Sequence, residues 1–203
     1  MKTKPQHAPA SGPDAALGTR ARIVRATSRL MQRQGYEATG IKQISREAGA
    51  TLGSVYHFFP GGKQELGAEA VRYGDQEFAD ILREGLEREQ DPAEAVIACT
   101  RMLAEDLRDS DWIDGCPITT TALETIGRAP DIQQAVAQAF ERWRGIVSDR
   151  LRRAGIAEDD ARELACTVIN TLEGAELAAQ VSRSEEPLEI AGRHLARLIN
   201  SYR

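Results

Sequence analysis

The chain has 203 residues, 41% of them hydrophobic and 28% charged, which describes a globular protein with a sizeable core and excludes a low-complexity or fibrous chain. No apolar run reaches the roughly 20 residues that a membrane-spanning helix needs, and no apolar secretory segment is present, so a cytoplasmic location without a membrane partner is expected. The formal charge of −5 speaks against a protein that coats nucleic acid over its whole surface.

That charge is unevenly spread. Residues 1–60 carry nine Lys/Arg against three Asp/Glu, whereas residues 61–203 carry seventeen against twenty-eight. A basic head on an acidic body implies that a polyanion meets the head alone. Residues 1–17 are rich in Pro, Ala and Gly and read as a disordered tail, in which Lys2 and Lys4 have no stronger role than brushing phosphates. From Thr19 onward the apolar spacing is helical, and no run alternates as a strand would. The first helix is expected over 19–34, with Thr19 as cap and Gly35 as stop. Arg22, Arg25, Arg29 and Arg33 make a basic stripe along it.

Two short helices follow, over 41–48 and 52–58. Ile41, Ile44 and Ala48 face inward together, Gly49 sits where the chain turns, and Thr51 caps the second helix, whose core anchors are Val55, Phe58 and Phe59. A long helix is expected over 63–89. Asp91-Pro92 starts another that ends near Asp109, and Gly115-Cys116-Pro117 opens one that Pro130 closes. The remaining helices are expected over 130–153, over 158–182, and from Pro187 to near the end. The fold class is therefore all-α: an N-terminal three-helix helix-turn-helix domain over 18–66 and a larger helical bundle over 67–203.

A short helix braced by another fits the major groove of double-stranded DNA. Gly53 allows close backbone approach. Ser54, Tyr56 and His57 are polar groups suited to phosphates and base edges, and Lys63 adds a cation.

The strings Thr19-Arg20-x-x-Ile23, Gly35-Tyr36-x-x-Thr39, Ile44 through Ala48-Gly49, Gly53-Ser54-Val55-Tyr56-x-x-Phe59 and Lys63-x-x-Leu66 resemble the DNA-binding domain of the tetracycline-repressor (TetR) family. Phe59-Pro60-Gly61-Gly62-Lys63, Gly115-Cys116-Pro117 and Leu172-Glu173-Gly174-Ala175 further resemble its LmrA/YxaF-like branch. The resemblance implies a dimeric repressor that binds a palindromic operator and is released by a small-molecule effector. It makes 52–58 the recognition helix, with Thr39, Thr51, Tyr56 and Lys63 on phosphates and Leu52, Ser54 and His57 near base edges. Thr51-Leu52 departs from the Pro-Arg often found there in the branch, so no operator sequence carries over.

The resemblance also implies an internal ligand cavity and a dimer made by the last two helices. The sequence offers two apolar stripes for that dimer: Leu164, Val168, Leu172, Ala175 and Ala179, then Leu188, Ala191, Leu195 and Leu198. The alternative is that both stripes face their own subunit's core. Candidate effector contacts are Met102, Trp112, Cys116, Phe140, Trp143, Asn170 and Glu173, a mixture of adaptable apolar groups and a few polar ones.

Cys99, Cys116 and Cys166 are odd in number and widely spaced, with no C-x-x-C, so neither a disulfide, nor a metal site, nor a cofactor is expected. Cys116 carries an alternative function: at a helix start the dipole lowers a thiol pKa, which would suit a redox or electrophile sensor. A remote alternative is a small-molecule enzyme. The three histidines, His7, His57 and His194, form no catalytic motif, and Gln64 stands where a phosphate-binding loop needs Ser or Thr. A non-specific DNA-compacting protein is opposed by the acidic body.

Overall fold

The computed structural model describes residues 17–203, and the expected tail, with Lys2 and Lys4, lies outside them apart from Leu17. Among the described residues every regular element is a helix. They are α1 (Thr19–Ala38), α2 (Ile41–Glu47), α3 (Leu52–Phe58), α4 (Gly62–Glu87), α5 (Pro92–Asp109), α6 (Pro117–Thr125), α7 (Pro130–Arg153), α8 (Glu158–Ser182) and α9 (Glu186–Asn200).

Two apolar clusters hold them. The smaller gathers Ile23, Val24, Leu30, Ile44, Ala48, Val55, Phe59 and Leu66 from α1 to α4. The larger runs from Met31 of α1 through α4 to α9 and centres on Trp143, which has no exposed surface. Phe78 and Phe140 stack on its indole with ring centroids 4.4 and 5.2 Å away. Helices α1 and α4 contribute to both clusters and so tie head to body.

Proline and aspartate mark the helix starts as anticipated. Asp91 accepts from the backbone N–H groups of Ala93 and Glu94 at 2.9 and 3.2 Å, with Pro92 in the first turn. Helix α1 departs in detail. Gly18, not Thr19, occupies its cap, and Gly35 interrupts rather than ends it, at φ 80° and ψ 172°. A side chain at Gly35 would both strain this backbone and overlap the Glu124 carboxylate.

Two of the four arginines in the basic stripe of α1 are turned to internal use. Arg22 donates to Ala48 O at 3.1 Å and to Leu17 O at 3.0 Å, and Arg33 pairs with Asp114 at 3.0 Å. Both therefore position neighbouring segments rather than projecting as unpaired cations.

Both predicted dimer stripes belong to the subunit's own core, which corrects that expectation. Leu164, Val168, Leu172, Ala179, Leu188, Ala191 and Leu195 are buried within one chain, and Ala175 and Leu198 are half-buried against the same cluster. The reason is packing: α8 lies on α7 and α9, while α9 lies on α5, so the most apolar faces are consumed there. The face of α8 left outside carries Asn170, Gly174, Leu177, Ala178 and Val181, and that of α9 carries Ile190 and His194.

One buried ion makes a connection that no local pattern announces. Arg150 of α7 donates to Leu86 O at 3.0 Å, Glu89 O at 2.9 Å and Gln90 O at 2.6 Å, capping the carbonyl end of α4. Arg150→Met leaves these acceptors without a donor and should lower unfolding stability by about 2–3 kcal/mol. Arg150→Lys should recover only part of this, because an ammonium lacks the planar fork. Urea denaturation measures both; an unchanged midpoint for the methionine variant would contradict the capping role.

Candidate DNA-binding face and effector site

Helix α3 has seven residues, and its two sides differ completely. Val55 and Phe59, one turn apart, have no exposed surface and enter the smaller cluster. Gly53 and His57 lie on the opposite side, Tyr56 beside them is 53% exposed, and Leu52, at the first position of the helix one turn before Val55, is 39% exposed. Thr51 caps the helix: its hydroxyl oxygen accepts from Ser54 N at 3.0 Å and lies 2.9 Å from Ser54 Oγ.

The turn between α2 and α3 is braced from both ends. Gly49 takes φ 57°, Ser45 Oγ donates to Ala50 O at 2.8 Å, and Arg22 of α1 holds Ala48 O. The projecting surface is thus a rigid concave face in which Lys42, Ser45 and Arg46 of α2 meet Thr51 and Leu52.

Lys42 and Arg46 are exposed, and among the described residues neither forms an ion pair. Sequence reasoning passed over them, although their spacing of four beside the turn places both on one side of α2. They line the same hollow as Thr51 and Leu52 at the start of α3.

Two predicted phosphate contacts are placed differently. Thr39 is 1% exposed and its hydroxyl donates to Gly35 O at 2.6 Å, so it closes the end of α1 instead of facing outward. Lys63 Nζ donates to Glu37 O at 3.1 Å and lies 4.4 Å from the centre of the Tyr36 ring. Its charge ties α4 to α1, with two N–H donors remaining.

The seven effector candidates do not converge on one cavity. Phe140 and Trp143 belong to the aromatic cluster, where Trp143 Nε1 donates to Asp75 O at 3.4 Å. Met102 packs beside Gly85. Trp112 follows α5 with φ 65°. Asn170 is exposed on the outer face of α8 and donates to Cys166 Sγ at 3.5 Å. Cys116 and Glu173 do meet, in a small cavity of about 10 Å³ between α6 and α8 that Thr119, Glu176, Leu177 and Gln180 also line. The spacing of Glu173, Glu176 and Gln180 by three and four residues was the available signal for this group.

The electrostatics there run against a reactive thiol. Burial pushes the Cys116 thiol well above its ordinary range, and the Glu173 and Glu176 carboxylates push it further. These effects outweigh the lowering expected from the start of α6. Burial also raises Glu173, opposed by the hydroxyl of Thr119 donating to it, and raises Glu176, aided by Glu173 and Asp106. Cys99, buried against α4, is pushed up to about 12.

A small braced helix offering its outer side, carried on an all-helical body, defines a helix-turn-helix DNA-binding regulator. The family model for bacterial regulatory proteins of the tetR family matches residues 23–70, and that for the C-terminal domain of LmrA/YxaF-like transcriptional regulators matches residues 92–194. The chain is 31% identical over 181 residues to the HTH-type transcriptional regulator YxaF of Bacillus subtilis, covering 89% of this chain and 95% of that one. It is 34% identical over 171 residues to the HTH-type transcriptional regulator LmrA of the same species, covering 84% and 90%. This protein belongs to the TetR family of transcriptional regulators, in the LmrA/YxaF-like group. Its relatives are regulators, not enzymes.

The crystal structure of a TetR transcriptional regulator from Chloroflexus aurantiacus is similar with a TM-score of 0.75 and 28% identity, covering 90% of this chain and 94% of that one. A regulatory protein TetR from Rhodobacter sphaeroides shares the fold at a TM-score of 0.78 and 24% identity, covering 88% and 97%. Among the described residues no helix is long and apolar enough to cross a membrane.

The thiol electrostatics make a direct prediction. Iodoacetamide at pH 8 should alkylate Cys116 and Cys99 at least about tenfold more slowly in the folded protein than in urea, because the thiolate is the reacting form. Peptide mass spectrometry reads the rates. Rapid modification of Cys116 in the folded state would restore the sensor alternative.

Proposed function

We propose that this protein is a repressor that binds a palindromic operator as a homodimer and leaves it when a small-molecule effector enters the body. In this reading residues 18–66 form the DNA-binding domain and residues 67–203 the effector-binding and dimerisation domain, and the protein works in the cytoplasm. The observation that carries it is the concave face of α2 and α3, where Lys42 and Arg46 flank an outward row of Leu52, Gly53, Tyr56 and His57. Helix α3 lies in the major groove. Thr51, Ser54, Tyr56, Lys42 and Arg46 hold phosphates, Lys63 reinforces them from the start of α4, and His57 and Leu52 approach base edges. Leu52 is suited to a thymine methyl rather than to guanine.

Two such helices must enter successive grooves, roughly 34 Å apart on one side of the duplex. The outer faces of α8 and α9 suit the required pairing. Leu177 and Val181 are exposed, Val181 by 78%, and Gly174 leaves room for a second helix to come close. The effector acts by differential affinity for two spacings of the heads. Helix α6 is the relay available: its Glu124 accepts from Glu37 N at 3.0 Å, and Asp114 just before it holds Arg33 of α1.

A duplex from upstream of the protein's own gene provides the substrate for testing. Tyr56→Ala with His57→Ala should weaken operator binding about 10- to 100-fold, a loss of roughly 1–3 kcal/mol, and random-duplex binding by less, because only the Tyr56 phosphate contact is common to both. Equal operator affinity for the variant and the parent would reject the assignment of α3. Independently, Leu177→Asp with Val181→Asp should give a monomer in sedimentation and lower operator affinity with it. A dimer that survives both charges would place the interface elsewhere.

A further inference from the structure

The group between α6 and α8 has a composition that a purely structural contact does not require. Glu173 and Glu176 are only 7% and 6% exposed, yet Glu173 Oε1 and Glu176 Oε2 have no hydrogen-bond partner. Among the described residues neither carboxylate is ion-paired. The Cys116 thiol faces them, and one ligand atom from each of the three residues lies within 4.8 Å of the others. Asp106 adds further negative potential at Glu176.

Buried carboxylates without partners are costly and are relieved by a proton or by a cation. The space between them, about 10 Å³, is the size of one ion or one water. One oxygen of each carboxylate and the sulfur lie close together, and all three residues line the same small volume. The competing arrangement is a proton held between the carboxylates with the thiol donating to Glu173, and saturable metal binding separates the two.

We infer that Cys116, Glu173 and Glu176 form a binding site for one divalent cation of the zinc type. A thiolate with two carboxylates suits zinc, whereas magnesium and calcium prefer oxygen alone. Thr119 and Gln180 also line the cavity and bring oxygen donors for a fourth position. Bonds of about 2.0 Å to oxygen and 2.3 Å to sulfur are what zinc takes from such ligands. The thiol, and any carboxyl that holds a proton, releases it to solvent as the ion enters. This site stands apart from the DNA-binding face and does not depend on the assignment of α3.

The test uses the untagged full-length protein, freed of metal with a chelator, and Co²⁺ as the probe. The expected result is saturation at one Co²⁺ per chain, with a near-ultraviolet sulfur-to-metal charge-transfer band that Zn²⁺ abolishes by displacement. Cys116→Ser should lose the band. Glu173→Gln and Glu176→Gln should each weaken Co²⁺ binding at least about tenfold, with metal-free melting temperatures showing that all three variants remain folded. Absence of saturable binding overturns the site and leaves the pair holding protons instead. A band that persists in Cys116→Ser also overturns it, by assigning the metal to Cys99 or Cys166.

Discussion

The DNA-facing head depends on how a seven-residue helix is kept in place. A helix of that length does not persist alone in water, because nucleation costs more than two turns return. What holds α3 is the insertion of Val55 and Phe59 into the cluster formed by Ile23, Ile44 and Leu66, together with the Thr51 cap. The same insertion fixes which residues are left outside. A side chain at i and another at i+4 cannot both enter the core without turning Gly53 and His57 away from it and leaving Tyr56 at its edge, while Leu52, one turn before Val55, stays outside because the helix begins there. Function therefore follows from packing: the residues that meet a partner are those the core has no use for.

Rigid coupling extends this from α3 to the rest of the chain. Arg22 binds the carbonyl at the turn, so α1 sets the position of the two short helices. The far end of α1 breaks at Gly35, where the backbone adopts a conformation open to glycine, and Glu124 of α6 fits against it. Lys63 on Glu37 O and Arg33 on Asp114 close the same junction. A displacement of α6 relative to the body thus has few ways to be absorbed before it reaches the head. The exposed ion pairs in this set add little stability individually; their contribution is to direction.

Element positions were legible from sequence to within a few residues, because Pro, Gly and Asp stand at helix boundaries for local reasons. Asp91-Pro92 and Gly49 act through their own backbone, and no distant contact was needed to interpret them. The inward set of the head was legible for the same reason. What could not be read was which partner a face would meet. The stripes from Leu164 and from Leu188 have the spacing of an interface and of a core alike, and only the placement of α7 and α5 decides between them. Arg150 stands in a run of cations at the end of α7, and only the carbonyl end of α4 gives it its partners. Thr39 and Lys63 sit at matching positions of the family pattern, yet their side chains are engaged within the chain. The effector candidates scattered because aromatic residues at helical spacing serve core packing first. The junction of Cys116 with Glu173 and Glu176 joins elements more than fifty residues apart, which spacing rules for metal ligands do not span.

The central claim is that the concave face of α2 and α3 is the surface that meets DNA. Amide hydrogen exchange, compared for the protein alone and bound to a duplex from upstream of its own gene, addresses that surface directly. The account requires the strongest added protection across residues 41–58, with the outer surface of α7 unchanged. Protection confined to residues 92–200, with 41–58 exchanging as in the free protein, would contradict it.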